Sequence, residues 1–183
     1  MTVTAIPTDL PEVLLLRSAV FEDERGTLYE SYNRRAFEAA TGLDVVFVQE
    51  NRSRSRRNVL RGLHYQLAPP QGKLVQTLHG EIFDVAVDLR RSSPTFGRWA
   101  GVRLSAEDPC SLWVPGGFAH GYLALTDEVE VLYKLTAFRD PGSERTLAWN
   151  DKDVGIVWPS EAQPILSARD AAGAELSSAE TFR

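Results

Sequence analysis

The sequence predicts an all-β fold of the jelly-roll type, a β-sandwich with a few short peripheral helices. Short apolar runs recur at close intervals, and clusters of Pro, Gly and Ser separate them. Apolar and polar residues alternate within several runs, which is the two-residue period of a half-buried strand. Many short strands with little helix favour a sandwich over a parallel α/β sheet.

The helical segment comes first, at 33–41, where Asn33 is a suitable N-cap and Gly42 a suitable stop. The strands predicted after it are 44–49, 60–67, 73–78, 81–89, 99–104, 111–114, 121–125, 129–136 and 145–149. Within 81–89, the alternation predicts that Val85 and Val87 share one face of the strand.

Length and composition predict one domain over 1–183, with 171–183 as a flexible tail. The chain has 183 residues, 43% hydrophobic and 25% charged, which excludes general disorder and a coiled-coil rod. A net charge of −5 argues against nucleic-acid or anionic membrane partners. Cys110 is the single cysteine, and no apolar run approaches the roughly 20 residues of a membrane span. We therefore expect a soluble, cytoplasmic protein.

One dense charge cluster stands out, made of Arg52, Arg54, Arg56, Arg57 and Arg61. Such a run is usually a solvated loop, and we expect this for most of its members. A nucleic-acid-binding arm is a second interpretation, which the acidic total disfavours. In a third, one or two of these arginines bind the phosphates of a small anionic ligand.

The histidines are scarce, and two of them lie in or beside predicted strands. His120 ends the turn PGGFAH at 115–120, which resembles the second half of the cupin signature, where the histidine is often a metal ligand. The first half would need His-x-His, and the corresponding stretch here is HYQ at 64–66. With one histidine missing, we predict no metal site.

A longer series of motifs resembles the dTDP-4-dehydrorhamnose 3,5-epimerase family, cupin-fold enzymes that act on sugar nucleotides. The similarity covers about 12–171. Its motifs, in order, are DERG at 23–26, QEN at 49–51, LRGLHYQ at 60–66, GKLV at 72–75, FDVAVDLR at 83–90, SPTFG at 93–97, PGGFAHG at 115–121, WND at 149–151, IVWP at 156–159 and LSARD at 166–170.

The resemblance implies a jelly-roll homodimer without metal or other cofactor that acts on dTDP-4-dehydro-6-deoxy-D-glucose. Enzymes of this family invert C3 and C5, the carbons beside the 4-keto group, to give dTDP-4-dehydro-β-L-rhamnose. A C–H next to a ketone loses its proton readily only when a base lies against it and the developing enolate oxygen is stabilised. Inversion also needs an acid on the opposite face of the ring.

By resemblance, the catalytic residues are His64, Asp170 and Tyr133. His64 matches the general base, since an unperturbed imidazole with a pKa of about 6.5 accepts a proton near neutral pH. Asp170 matches the carboxylate that orients this imidazole and stabilises its charged form. Tyr133 matches the acid on the other face, although its apolar neighbours would also suit a packed strand aromatic.

The resemblance also implies a set of substrate-binding residues. Lys73 and His120 match binding positions, where they could supply positive charge or a hydrogen-bond donor near the 4-keto oxygen. The nucleotide and its diphosphate would be bound by Arg25, Glu30, Gln49, Asn51, Arg61 and Glu144. Arg169 stands where the family commonly has lysine, and Arg139 where it usually has a tyrosine near the base and the sugar. A guanidinium can stack on a base and adds positive charge, but it is no phenolic acid.

Arg61 and His64 are three residues apart, and on a regular strand such residues point to opposite faces of the sheet. Either Gly62 marks a β-bulge, or Arg61 serves a different site, such as that of a partner subunit.

Two alternatives to the 3,5-epimerase remain open at this stage. The first is an epimerase that inverts only C3 or only C5, which Arg139 in place of tyrosine would favour. The second is a cupin-type module that binds a sugar nucleotide without catalysis, which the joint presence of His64, Tyr133 and Asp170 disfavours.

Overall fold

In a computed structural model that describes residues 2–160 and 162–183, two antiparallel sheets face each other. The strands are β1 Val3–Pro7, β2 Leu14–Ser18, β3 Phe21–Asp23, β4 Gly26–Leu28, β5 Gln49–Arg56, β6 Leu60–Gln66, β7 Lys73–His79, β8 Glu81–Asp88, β9 Trp99–Ser105, β10 Cys110–Val114, β11 Phe118–Ala124, β12 Glu128–Leu135 and β13 Glu144–Thr146, and the helices are α1 Arg34–Thr41 and α2 Ala168–Ala171. One sheet has the order β1-β2-β10-β7-β12-β5, the other β13-β6-β11-β8-β9, and β3 and β4 form a separate hairpin. The predicted all-β sandwich is confirmed.

Helix α1 forms where the capping residues predicted it. The Asn33 side chain accepts a hydrogen bond from the Ala36 amide at 3.2 Å, and Gly42 ends the helix with φ +72°. Phe37 is the buried residue of the helix, and its ring packs edge-on against Trp113 with centroids 5.5 Å apart. The helix therefore covers the outer face of the six-stranded sheet.

The space between the two sheets is filled from both sides. Val75 and Val131 of the six-stranded sheet pack there against Ala86 and Tyr122 of the five-stranded sheet. Val85 and Val87 point the other way, into a second apolar cluster on the outer face of the five-stranded sheet. The alternation predicted for 81–89 is confirmed, and it gives this strand two buried faces.

The predicted strand at 44–49 is wrong, and so is the solvated loop expected for most of the arginines. Strand β5 begins at Gln49 and continues through Arg56, paired in register with all of β12. Its serines lie toward the sandwich interior, whereas Arg52 and Arg54 reach the outer face and form ion pairs with Glu130. Pairing with an apolar neighbouring strand has overridden the low strand propensity of a charged sequence.

The segment 171–183 is packed against the protein, so the prediction of a flexible tail is wrong. The Phe182 amide donates to the Leu89 carbonyl at 3.0 Å, and the Tyr65 hydroxyl donates to the Glu180 carbonyl at 2.6 Å. Ala179 is buried in the cluster on the outer face of the five-stranded sheet. Widely spaced apolar residues in this polar segment are sufficient to anchor it.

No helix in the described ranges is long and apolar enough to cross a membrane.

A β-bulge at Gly62 explains how Arg61 and His64 of β6 share one face of the sheet. His64 pairs with His120 and Arg61 with Tyr122, so two residues of β6 lie opposite the single residue Gly121. Gly62 has φ +125°, and a Cβ built on it would lie 2.6 Å from the Gly121 Cα. The bulge therefore puts Arg61 and His64 on the same face of the sheet, and it requires a glycine at 62.

We expect Gly62→Ala to lower the free energy of unfolding by about 3 kcal/mol, because backbone strain and overpacking combine. Gly26 is the matched control, since its φ is +118° but a Cβ there would meet nothing within 4 Å. Gly26→Ala should cost about 1 kcal/mol, from backbone strain alone. Urea unfolding of the two variants measures the difference, and equal losses would mean that the close approach to Gly121 is unimportant.

Candidate active site

The interior of the sandwich changes from apolar to polar toward one end. His64 on β6 and His120 on β11 are direct cross-strand partners in the five-stranded sheet. Lys73 on β7 and Tyr133 on β12 belong to the six-stranded sheet, on the same faces as the buried Val75 and Val131. The Lys73 Nζ reaches across the sandwich and donates to the His64 carbonyl at 3.0 Å. Two facing sheets thus contribute to one polar site.

His64 is paired with a carboxylate that is distant in the sequence. Its Nε2 lies 2.5 Å from Asp170 Oδ1. Asp170 is in the short helix α2, where the Ser167 hydroxyl accepts a hydrogen bond from the Asp170 amide at 3.1 Å. This N-cap fixes the first turn of α2 and thereby the direction of the carboxylate.

The surroundings of this pair keep the imidazole neutral and the carboxylate charged. Burial lowers the pKa of His64 below 6.5, and the Lys73 charge acts in the same direction against the opposing effect of Asp170. Burial raises the pKa of Asp170, but its interactions with His64, Ser167 and Arg169 together outweigh this effect, so that the net pKa is lowered. A neutral imidazole next to a carboxylate is suited to accept a proton.

Lys73 is the buried cation of the site, with 7% of its surface exposed. Burial lowers its pKa to about 8, although the Asp84 carboxylate favours the charged form. Near neutral pH the ammonium group is therefore charged, and it is poorly solvated, which strengthens its attraction for a developing negative charge.

Asp84 is part of the candidate site, and it is absent from the residues predicted from the sequence. His120 Nε2 lies 2.5 Å from Asp84 Oδ1, and Asp84 is fully buried. Its second oxygen has no hydrogen-bond partner in the described part of the chain. The sequence did contain a signal for Asp84, which shares a strand face with Ala86. A charged residue on a core-facing position needs a partner, and this marks it as a candidate for a polar site.

The predicted nucleotide-binding residues Gln49, Asn51 and Arg61 lie on or against β5. The Gln49 side-chain amide donates to Asn51 Oδ1 at 3.0 Å. The Arg61 Nε donates to the Ser55 hydroxyl at 2.9 Å, and its Nη2 donates to the Arg54 carbonyl at 2.9 Å. Arg61 therefore crosses from β6 to the opposite sheet on the same side as His64, as the bulge requires.

Three further predicted residues form one ion-pair cluster. Glu144 accepts hydrogen bonds from Arg139 and from Arg169, at distances between 2.8 and 3.1 Å. Glu144 lies on β13, which pairs with β6 so that Thr146 is opposite His64. The cluster is therefore adjacent to the strand of the candidate base.

Arg25 and Glu30 are not brought to the His64 site within this chain. Arg25 is in the β3–β4 turn, exposed, and pairs with Asp23. Glu30 accepts a hydrogen bond from Asn33, and the neighbouring Tyr29 hydroxyl contacts Gln76 of the six-stranded sheet. Gln76 alternates with the inward-facing Val75, so this segment lies on the outer side of the sheet.

Across residues 2–160 and 162–183, no group of three or more His, Cys, Asp or Glu side chains is arranged to hold a metal ion.

The arrangement provides acid and base groups on two sides of one space. A neutral histidine with a carboxylate partner projects from one sheet, and a tyrosine projects from the other. A buried ammonium and a second histidine–carboxylate pair belong to the same polar interior. Such a set can remove a proton from one face of a bound molecule and return a proton to the other.

Comparison with known proteins shows which family the chain is similar to. The family model described as dTDP-4-dehydrorhamnose 3,5-epimerase matches residues 7–178. A dTDP-4-dehydrorhamnose 3,5-epimerase from Pseudomonas aeruginosa is 54% identical over 173 residues, which are 94% of this chain and 96% of that protein.

Solved structures show the same similarity. A dTDP-6-deoxy-D-glucose-3,5-epimerase from Legionella pneumophila, in complex with dTDP-4-keto-L-rhamnose, superposes with a TM-score of 0.95 at 43% identity, covering 99% of this chain and 98% of that one. A 3'-monoepimerase from Streptomyces bikiniensis, in complex with dTDP-quinovose, has a TM-score of 0.88 at 33% identity and covers 93% and 87%. With the family model matching nearly the whole chain, the protein belongs to the dTDP-4-dehydrorhamnose 3,5-epimerase family.

Proposed function

We propose that this protein converts dTDP-4-dehydro-6-deoxy-D-glucose to dTDP-4-dehydro-β-L-rhamnose by inverting C3 and C5. The observation that carries the proposal is the placement of His64 and Tyr133 on opposite sheets, both on strand faces directed into the sandwich. Inversion at carbon requires a base and an acid on opposite faces of the sugar ring. A ring bound between the sheets would have one of these groups on each side.

In the proposed reaction, His64 removes the proton from C3 as a general base. The C–H electron pair forms the C3–C4 double bond, and the 4-keto oxygen becomes an enolate. The Lys73 ammonium group stabilises this charge, with the His120 imidazole as a second donor. Tyr133 then returns a proton to C3 from the opposite face. Once His64 has released its proton to solvent and Tyr133 has taken one up, the same sequence at C5 completes the reaction.

The carboxylates have positioning roles in this scheme. Asp170 orients the His64 ring and stabilises its charged form while the ring holds the substrate proton. Asp84 orients the His120 ring and favours the charged form of Lys73. Gln49, Asn51 and Arg61 are the proposed contacts for the nucleotide. No step of this scheme requires a cofactor.

We also propose a homodimer, in which each β3–β4 hairpin serves the site of the other subunit. Arg25 and Glu30 match nucleotide-binding positions of the family, yet their segment lies on the outer side of the six-stranded sheet. Phe21 and Leu28 of the same hairpin segment are exposed, which is typical of a surface that another chain covers.

The Cys110 thiol and the nucleotide-sugar substrate support a cytoplasmic location.

A second candidate is a mono-epimerase that inverts one carbon only. It is supported by Arg139 at a position where the family usually has tyrosine, and by the similarity to a 3'-monoepimerase. The Arg139 guanidinium cannot supply a phenolic proton. If the second inversion depends on a phenol at this position, it would be lost here.

Isotope incorporation distinguishes the two candidates. In deuterated water, the protein should introduce deuterium at both C3 and C5 of dTDP-4-dehydro-6-deoxy-D-glucose, as located by NMR. His64→Ala should lower kcat by about 10³-fold, because the general base is removed. His79→Ala is the matched control, since His79 is exposed at the end of β7, and it should leave kcat unchanged. Deuterium at one carbon alone would establish the mono-epimerase.

We expect kcat/KM to follow a bell-shaped pH dependence. The base must be unprotonated, and the pKa of His64 is lowered from 6.5, so the acidic limb should lie below pH 6.5. Lys73 must be protonated, and its pKa of about 8 predicts that activity falls above about pH 8. Lys73→Arg, which stays charged, should move the basic limb upward. An unmoved basic limb in that variant would contradict the role given to Lys73.

Complementation between subunits tests the shared site. Arg25→Gln should raise KM about tenfold, because a charged phosphate contact is lost. Co-expression of Arg25→Gln and His64→Ala subunits produces hybrid dimers with one site that has both intact residues. At substrate concentrations well below KM, the mixture should show about a quarter of the wild-type activity per subunit. Without recovery, Arg25 would act in its own subunit.

A further inference from the structure

A row of hydroxyl groups lies between the two sheets of the sandwich. The Tyr122 hydroxyl on β11 lies 3.0 Å from the Ser53 hydroxyl and 3.0 Å from the Ser55 hydroxyl, both on β5. The Ser55 hydroxyl also accepts a hydrogen bond from the Arg61 Nε at 2.9 Å. Tyr122 thus spans the space from the five-stranded sheet to the six-stranded sheet, and Ser55 joins it to Arg61 of β6.

The surroundings of this hydroxyl row are largely apolar. Val129 and Val131 of β12 are the cross-strand partners of Ser55 and Ser53, and both valines belong to the core cluster that contains Tyr122. Tyr122 is 4% exposed and Ser55 is 8% exposed. Buried hydroxyl groups are unfavourable unless they are hydrogen-bonded, and apolar groups of the same shape would be about as stable. Stability of the core therefore does not explain why hydroxyl groups occupy these positions.

The row has a preferred direction of donation. Residues two apart on a strand lie about 7 Å apart, so Ser53 and Ser55 depend on the phenol between them. The Tyr122 hydroxyl has one hydrogen, so it donates to one serine and accepts from the other. Ser55 already accepts from the cationic Arg61, which makes its own hydroxyl a stronger donor. This favours donation from Arg61 to Ser55, from Ser55 to Tyr122, and from Tyr122 to Ser53.

Arg61 is held along one edge of its guanidinium group. Its Nε and Nη2 donate to Ser55 and to the Arg54 carbonyl, whereas its Nη1 has no hydrogen-bond partner within 2–160 and 162–183. The Arg61 residue is exposed, although the Ser55 side chain that holds it is buried. The direction of this long side chain therefore depends on a hydrogen bond whose acceptor is itself fixed by Tyr122.

We infer that Tyr122 is a positioning residue, which acts through Ser55 to fix the direction of Arg61 toward the bound nucleotide. The inference rests on the proposed function, in which Arg61 contacts the nucleotide. An arginine that is free in solvent loses rotamer freedom when it binds a ligand, and one that is already held in direction loses less. The phenol hydroxyl therefore increases affinity without touching the substrate.

Removal of a single oxygen atom tests this role. Tyr122→Phe keeps the ring and its packing, and it should raise the Kd for thymidine diphosphate (TDP) about fivefold in calorimetric titration, because the guanidinium group is held less firmly. KM for the nucleotide sugar should rise by a similar factor, with kcat within about twofold of wild type. A fall in kcat with unchanged KM would overturn the positioning role.

Tyr65 provides a matched control on the outer face of the five-stranded sheet. It is 3% exposed, and its hydroxyl donates to the Glu180 carbonyl at 2.6 Å. Tyr65→Phe also deletes a buried phenol oxygen, so urea unfolding should show a loss of stability similar to that of Tyr122→Phe. It should leave KM and the Kd for TDP unchanged. Equal rises of KM in the two variants would mean that lost stability is the cause, and the inference would be wrong.

The two serines separate the two branches of the row. Ser55→Ala breaks the connection to Arg61 and should raise the Kd for TDP at least as much as Tyr122→Phe does. Ser53→Ala leaves the connection from Tyr122 through Ser55 to Arg61 intact, and it should change the Kd by less than about twofold. Equal losses in the two serine variants would contradict an effect transmitted through Ser55.

A double-mutant cycle locates the effect at Arg61. Arg61→Gln should raise the Kd for TDP about tenfold, because a charged donor is lost. In that background Tyr122→Phe should have little further effect, since no guanidinium group remains to be positioned. If the two losses multiply instead, Tyr122 acts by another route and the inference is wrong.

Failure of the positioning role and failure of the proposed function give different results. If the wild-type protein introduces deuterium while Tyr122→Phe leaves KM and the Kd for TDP unchanged, the positioning role is wrong and the epimerase reaction stands. If the wild-type protein introduces no deuterium while Tyr122→Phe and Arg61→Gln weaken TDP binding without multiplying, the positioning role stands and the reaction is wrong.

Discussion

A regular strand places residues three apart on opposite faces, and the bulge at Gly62 removes this constraint between Arg61 and His64. The bulge depends on close contact between two backbones, since Gly62 and Gly121 approach too closely for a Cβ on either residue. Because of it, the candidate base and a candidate phosphate contact point into the same space. The shift in register is located between His120 and Tyr122, so it affects the geometry of both histidines.

Burying charged groups between two sheets is unfavourable, and the site limits this cost by pairing them. Asp84 and Asp170 each contact a histidine, and Lys73 lies near enough to Asp84 for the carboxylate to support its charge. The pairing is incomplete, because burial still lowers the pKa of Lys73 and of His64. In the proposed reaction this incomplete compensation is useful, since it leaves a poorly solvated cation for the developing enolate and a neutral imidazole that can accept a proton.

Local features of the fold could be predicted from the sequence because their causes are local. Asn33 and Gly42 determine the ends of α1 through their own side chain and backbone. The alternation in 81–89 determined which residues of β8 face each side. Strand β5 could not be predicted in this way, because its charged sequence forms a strand only when it is paired with β12 and its arginines meet Glu130.

The site shows the same division between local and distant causes. Nothing in composition or spacing connects His64 with Asp170, which is 106 positions away, and only the family resemblance linked them before the structure did. Asp84 was detectable in principle, as a carboxylate on a core-facing strand position. The segment 171–183 was misjudged because its few apolar residues, such as Phe182, have no periodic pattern, and packing alone reveals their role.

Two clusters in this protein share one composition, and their positions give them different meanings. Glu130 with its two arginines lies on the outer face of the six-stranded sheet, where the Arg52 and Arg54 side chains are 57% and 83% exposed and the Glu130 side chain is 11% exposed. Glu144 with its two arginines lies next to a strand that carries His64, and buried Gln66 holds the adjoining loop. The carboxylate is thus shielded in both clusters, and the second cluster differs in its further attachments, such as that of Arg169 to Thr146. A count of arginines in the sequence does not distinguish the two cases.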